Sequence, residues 1–139
     1  MCFDASGWAI YLDDKRVIAI VDDDESSRVG TMRLVRSLGF IAHAFASARS
    51  FLRSAQLVET ACVISDVQMP DMNGIQLHDA LRACGHEIPI IFITAFPDEK
   101  VRAQAVGRGA ICFLSKPFDG DALLRCLDAA LNCNLGEGG

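Results

Sequence analysis

Apolar positions fall along this chain in two alternating rhythms. The first is a continuous run, Val17 to Val21 (VIAIV), rich in β-branched residues and suited to a strand buried on both faces. The second begins near Ser26. There Val29, Met32, Leu34, Val35 and Leu38 recur at helical spacing, and Arg28, Arg33 and Arg36 fall among them as the polar side. Asp24 or Ser26 can cap the first turn of this helix, and Gly39 is a natural stop. The pair of rhythms then returns four times. Phe40 to Phe45 predicts a second strand, and Ser47 caps a helix over about Ala48 to Leu57 with Phe51 and Leu52 inward. Ala61 to Ser65 predicts a third strand. After the loop Met69-Pro70-Asp71-Met72-Asn73-Gly74 comes a helix over Ile75 to Ala83, closed by Cys84-Gly85. Pro89 to Ile93 predicts a fourth strand ending at Thr94, followed by a helix from Asp98 to about Val106 that Gly107 and Gly109 close. Ile111 to Leu114 predicts the fifth strand, ending in Ser115-Lys116-Pro117. Asp119 caps a last helix to about Cys133, with Leu123, Leu124, Leu127 and Leu131 inward.

Strand starts lie roughly 20–28 residues apart, the length of a crossover that carries a helix. The expectation is an α/β domain, (βα)5, with a doubly wound five-stranded parallel sheet covered on both faces. Residues 1–16 read as an N-terminal extension holding the one Trp (Trp8) and the one Tyr (Tyr11), residues 17–133 as the folded body, and residues 134–139 as a Gly-rich tail.

Composition narrows the function classes. A chain of 139 residues that is 51% hydrophobic can bury a core as one domain. A net charge of −5 lacks the basic face of a nucleic-acid binder and suits a site that holds cations. No run approaches the roughly 20 apolar residues of a membrane span, and the first residues carry no basic region of a signal peptide, so a cytoplasmic protein is expected. The six cysteines (Cys2, Cys62, Cys84, Cys112, Cys126 and Cys133) form no CxxC pair and read as free thiols. His43, His78 and His86 share no motif and read as exposed or core-edge residues, and Met69 and Met72 as packing contacts.

Parallel topology turns the list of strand ends into a site. The carboxyl ends of the strands in an open parallel sheet lie on one edge, where ligands bind. That edge collects Asp22 and Asp23 from the first strand, Asp66 from the third, Thr94 from the fourth and Lys116 from the fifth. Three carboxylates in one pocket repel one another unless a cation joins them. Mg²⁺ is the natural candidate, being a hard ion that keeps several waters beside a few oxygen ligands. With a lysine and a hydroxyl, such a site can neutralise the oxygens of a phosphoryl group, and a central carboxylate can be the nucleophile.

The segments VDDDE (Val21–Glu25), SDVQMPDMNG (Ser65–Gly74), ITA (Ile93–Ala95) and SKPF (Ser115–Phe118) together resemble the CheY-like receiver domains of two-component response regulators. The resemblance spans Val17 to Cys133, with the segments in order at the expected intervals. It implies the flavodoxin-like/CheY-like strand order 2-1-3-4-5. It implies that Asp66 is the phosphoacceptor, supplied by a histidine kinase or a histidine phosphotransfer protein. Asp22 and Asp23 would hold Mg²⁺ (or Mn²⁺) with help from Asp66 and the backbone carbonyl of Gln68. Thr94 and Lys116 would bind phosphoryl oxygens, with Pro117 following a cis bond. Thr94 and Phe113 would form the switch that biases the face of the fourth helix, fifth strand and fifth helix, a face that can also form a homodimer. Kinase docking is expected around Ser27, Arg28, Thr31 and Phe118. The activity expected is signalling, with catalysis limited to the domain's own phosphorylation and dephosphorylation, and no direct nucleic-acid or membrane contact by this domain. Output would pass through protein contacts or through a domain joined by the tail.

Two other readings fit parts of the pattern. Asp22-x-Asp24, Thr94 and Lys116 follow the order of a haloacid-dehalogenase-type phosphatase, with Asp22 as nucleophile and Asp24 as general acid, but that reading gives Asp66 no role. The fold could also serve as an unphosphorylated scaffold, against which the complete acidic pair, Thr94 and Lys116 argue.

Overall fold

The computed structural model describes residues 16–138, with side chains described to Leu131. The N-terminal extension with Trp8 and Tyr11 therefore falls outside the described residues. Five strands and five α-helices alternate: β1 (Val17–Val21), α1 (Glu25–Ser37), β2 (Ile41–Phe45), α2 (Ala48–Leu52), β3 (Thr60–Asp66), α3 (Gly74–Ala83), β4 (Ile90–Thr94), α4 (Glu99–Gly107), β5 (Cys112–Ser115) and α5 (Gly120–Gly138). The strands form one sheet in the order β2-β1-β3-β4-β5, every pairing parallel. This is the doubly wound (βα)5 fold and the strand order that the motifs implied.

The strand pattern explains the two layers. Successive side chains of a strand point to opposite faces. Ala19 and Val21 join Val63, Phe92, Phe51, Leu77, Leu81 and Ala105 in a core beneath α2, α3 and α4. Ile18 and Ile20 join Cys62, Ile64, Ile91, Ile93, Val35, Leu123 and Leu127 in a second core beneath α1 and α5. A continuous apolar run is what such a two-faced strand requires.

Helix starts are set by side-chain caps. Asp24 accepts the Ser27 amide at the head of α1, Ser47 accepts the Ser50 amide at α2, and Asp98 accepts the Lys100 amide at α4. Asp119 accepts the Ala122 amide at α5. Asn73 and Gln76 exchange side-chain and backbone bonds in a capping box that starts α3. The second helix is shorter than its apolar pattern predicts. It stops at Leu52, and a single 3₁₀ turn (Ala55–Glu59) follows. The reason is Ser54, whose hydroxyl accepts the Gln56 amide at 3.0 Å and so competes with continuation of the helix. Leu57 still reaches the core, from the 3₁₀ turn. The last helix runs to Gly138, beyond the end predicted near Cys133, since no proline interrupts it and glycine costs a helix only about 1 kcal/mol per position.

The reading of the cysteines as free thiols is corrected at one pair. Cys112 on β5 and Cys126 on α5 form a disulfide, with their Cα atoms 5.8 Å apart. The two are 14 residues apart in sequence and meet only because α5 folds back over β5, so no local motif signals them. Cys62 and Cys84 are free, and burial pushes the Cys62 thiol up to about 12.

Candidate functional site

Strand register decides which side chains meet. Val21 lies opposite Ser65, Asp66 opposite Ile93, and Thr94 opposite Ser115. The residues at and just past these positions therefore emerge together at the carboxyl edge of the sheet. Asp22, Asp23 and Asp66 each present a carboxylate oxygen within 4.8 Å of the others, a spacing at which one cation can touch all three. Asp22 and Asp66 are buried while Asp23 faces solvent.

Lys116 is the hinge of the charge balance. Its Nζ lies 3.0 Å from Asp22 Oδ2 and 3.1 Å from Asp66 Oδ2. Burial would lower the pKa of the ammonium, but hydrogen bonds and charge from Asp22, and then from Asp66, outweigh it and raise it. The backbone is pinned as well: the Lys116 amide donates to the Thr94 carbonyl at 2.7 Å, and the Lys116–Pro117 peptide is cis.

The two buried acids differ in what holds them. Burial pushes the Asp22 carboxyl up, yet it ends below the ordinary value, because its oxygens accept from the Ser27 hydroxyl (2.6 Å), the Asp24 amide (3.0 Å) and Lys116. Asp66 is raised, first by burial and then by the neighbouring Asp22 carboxylate. The Gln68 amide (3.1 Å) and Lys116 offset this only in part. One acid is fully partnered. The other carries charge that is only partly offset at the centre of the site, the place where an added cation or an electrophile gains most.

Two sequence signals were fainter than the role they turn out to have. Ser27, read from the motifs as a docking residue, donates its hydroxyl to Asp22, and Arg28 donates Nη1 to the Asp22 carbonyl at 2.9 Å. Both follow from geometry: the first turn of α1 folds back over the end of β1. Thr31 and Phe118 line a groove of about 270 Å³ with Ser26, Ser27, Gly30, Lys116 and Pro117.

Thr94 is almost fully buried. Its hydroxyl donates to Gln68 Oε1 at 3.1 Å and accepts the Phe96 amide at 3.0 Å. Phe113, one turn of the pleat before Ser115, is half-buried against the core beneath α4. The loop after Asp66 is held by a bond from the Gly74 amide to the Val67 carbonyl at 2.9 Å, and Asp71 adopts a positive φ of 70°.

The alternative in which Asp22 is a nucleophile and Asp24 its general acid does not survive this geometry. Asp24 is committed to capping α1, and the Ser27 hydroxyl, the Asp24 amide and Lys116 together hold the Asp22 carboxyl below its ordinary value, whereas Asp66 is raised above it. Asp66, idle in that reading, sits at the centre.

Comparison with known proteins agrees. The response regulator receiver domain model matches residues 18–128. The chain is 40% identical over 119 residues to the response regulator protein TmoT of Ectopseudomonas mendocina, covering 86% of this chain and 54% of that protein. It is 38% identical over 117 residues to the transcriptional regulatory protein TdiR of Thauera aromatica, covering 84% of this chain and 52% of that one. The chain thus spans about half the length of the curated relatives it matches. Among solved structures, FixJ-N superposes with a TM-score of 0.78 at 31% identity, covering 84% of this chain and 94% of that chain. With the strand order, the acidic edge and a family match over most of its length in agreement, this chain belongs to the response regulator receiver domains of two-component signalling.

Proposed function

We propose that Asp66 is the phosphoacceptor of this receiver. The donor would be a phosphohistidine on a sensor kinase or a phosphotransfer protein. The bond from histidine nitrogen to phosphorus breaks, an Asp66 oxygen bonds the phosphorus, and the product is an acyl phosphate with neutral histidine released. The observation that carries this reading is Lys116 Nζ, placed 3.1 Å from Asp66 and 3.0 Å from Asp22. It partners the resting acids and stands where a transferred phosphoryl oxygen would arrive.

The donor set fits a divalent cation. Asp22, Asp23 and Asp66 supply hard oxygens within reach of one ion, and the Gln68 carbonyl, two residues past Asp66, completes the expected set. Bound there, Mg²⁺ or Mn²⁺ would supply charge neutralisation for the phosphoryl oxygens. The chain's own groups do the rest. Lys116 takes one phosphoryl oxygen. Thr94 offers its hydroxyl to another, and its movement frees space for Phe113. That Thr94/Phe113 pair biases the face of α4, β5 and α5, through which we infer homodimerisation or another protein contact. The groove bordered by Ser27, Thr31 and Phe118 fits a docking helix of the donor, in the cytoplasmic setting expected for such donors. The described residues contain no helix long and apolar enough to cross a membrane. We assign the folded receiver to residues 17–133, with residues 1–16 as an extension and 134–139 as a tail that α5 continues into as far as Gly138.

The test is labelling. With Mg²⁺ and a small acyl phosphate, intact-mass spectrometry should show one added phosphoryl group on the wild-type chain and none on Asp66→Ala or in excess chelator. Label persisting in Asp66→Ala would overturn the assignment. Failure of the wild type to accept phosphate or bind beryllofluoride would point to the scaffold reading instead.

A further inference from the structure

The Thr94 hydroxyl has one proton to donate, and in this structure the Gln68 side chain receives it. The O···O distance is 3.1 Å, and the same oxygen accepts the Phe96 amide at 3.0 Å. A hydroxyl makes a single donor bond. If Thr94 is to donate to a phosphoryl oxygen on Asp66, it must first release Gln68, since the two acceptors compete for one hydrogen.

The arrangement favours holding. Thr94 is only 1% exposed, so water is poorly placed to replace Gln68, and a buried donor left without a partner is costly. Threonine is β-branched and stiff at its first side-chain torsion, so the hydroxyl does not sample orientations freely. Gln68 is itself anchored, because its backbone amide donates to Asp66 Oδ1 at 3.1 Å. The residue that restrains Thr94 is thus tied to the acceptor that would recruit Thr94. Gln68 is an exposed residue, so its side-chain amide can swing away and be rehydrated without opening the core.

Resting on the phosphoacceptor reading above, we propose that Gln68 is a positioning residue: its side-chain carbonyl withholds the Thr94 hydroxyl from the phosphoryl site, and breaking this bond is part of the free energy of switching. Affinity for a phosphoryl group is then lower than Asp66, Lys116 and Thr94 alone would give. The Phe96 amide, bonded to the same hydroxyl, carries the change to the start of the segment leading into α4.

Gln68→Met keeps the length of the side chain and the backbone carbonyl and removes the acceptor. Calorimetric titration with beryllofluoride and Mg²⁺ would compare wild type, Gln68→Met, Thr94→Val and the double variant. Gln68→Met should tighten binding by about three- to tenfold, the worth of one net hydrogen bond. It should also shift the Phe96 amide resonance of the unliganded protein. In the Thr94→Val background the same substitution should change affinity by less than about twofold, since the shared hydroxyl is gone. No tightening by Gln68→Met, or equal tightening in both backgrounds, would overturn the proposal. If the wild type fails to bind the mimic at all, the phosphoacceptor reading itself falls; binding by the wild type without coupling between Gln68 and Thr94 sinks only the role of Gln68.

Discussion

A Cβ atom built on Gly74 would stand 2.6 Å from the backbone carbonyl oxygen of Asp66, with the Phe92 ring edge and the Ser65 hydroxyl each 3.1 Å away. Gly74 is glycine because α3 starts hard against the end of β3. The Asn-Gly pair reads as a turn in the sequence, but the constraint is a close approach between two backbones rather than a left-handed conformation.

Gly74→Ala should therefore cost stability by about 1–3 kcal/mol, the usual range for overpacking a tight site, and should impair phosphoryl acceptance by moving Asp66. Gly30→Ala supplies the contrast. Gly30 lies inside α1 with open space around it, so added methyl should stabilise by about 0.5–1 kcal/mol. Urea unfolding of both variants reads the two signs, and equal effects would contradict the packing argument.

Asp66→Asn should abolish phosphorylation and yet raise the melting temperature in chelator at pH 7. The Asp66 carboxyl is raised above the usual 3.8 by burial and by Asp22, so its ionised form is disfavoured in the fold. In that case the folded state binds the proton more tightly than the unfolded chain, and stability falls as pH rises from 3.8 through the raised value. The asparagine variant escapes this penalty. Saturating Mg²⁺ should stabilise the wild type by about 2.7 kcal/mol at a hundred times its Kd, and the variant by much less. Thermal scans with and without Mg²⁺ test both halves.

His78 should make the protein acid-sensitive. It is buried in α3, one residue from Leu77 on the inward side of the helix, rather than exposed or at the core edge as expected, and it lies edge-on to Phe92 with Nδ1 lacking a partner. Burial, and then the charges of Arg82 and Arg108, hold it below 6.5, while Asp79 opposes them. A depressed histidine favours the neutral form in the fold, so its contribution is intact above 6.5 and is lost as pH falls through the depressed value. The melting temperature of His78→Gln should vary less with pH below 6.5 than that of the wild type. Parallel curves would dismiss His78 as the cause.

Self-association through α4, β5 and α5 should need the apolar positions that this face leaves open. Val106 is 55% exposed, and Leu124, expected inward with Leu123, Leu127 and Leu131, is instead 36% exposed, since it follows Leu123 by one residue and so lies about 100° round the helix from it. Val106→Glu should weaken any dimer formed with beryllofluoride, by at least about tenfold if the valine is buried at the contact. Analytical ultracentrifugation decides it, and an unchanged dimer would place the interface elsewhere.

How far the sequence carried these conclusions depended on range. Strand ends, caps and the doubly wound layers were legible because period-2 and period-3.6 patterns and Asp24, Ser47, Asp98 and Asp119 act within a few residues. Asp22, Asp23, Asp66, Thr94 and Lys116 could be gathered because parallel topology alone puts strand ends on one edge. What stayed hidden was contact between side chains whose meeting depends on packing. The Ser27 bond to Asp22 needs the crossing angle of α1 over β1, and the Gln68 bond to Thr94 joins residues 26 apart. The Ser54 cap was local but lost to a helical apolar pattern that ran through it.

The fifth strand has only four residues, lies at the edge of the sheet, and is fastened at both ends. Cys112 is joined covalently to α5, and Lys116, just past the other end, is held by two carboxylates and by the Thr94 carbonyl. A short span clamped at its supports cannot slide as a unit. In the switching proposed above, a pull on Lys116 would bow the middle of the span, which is Phe113 and Leu114.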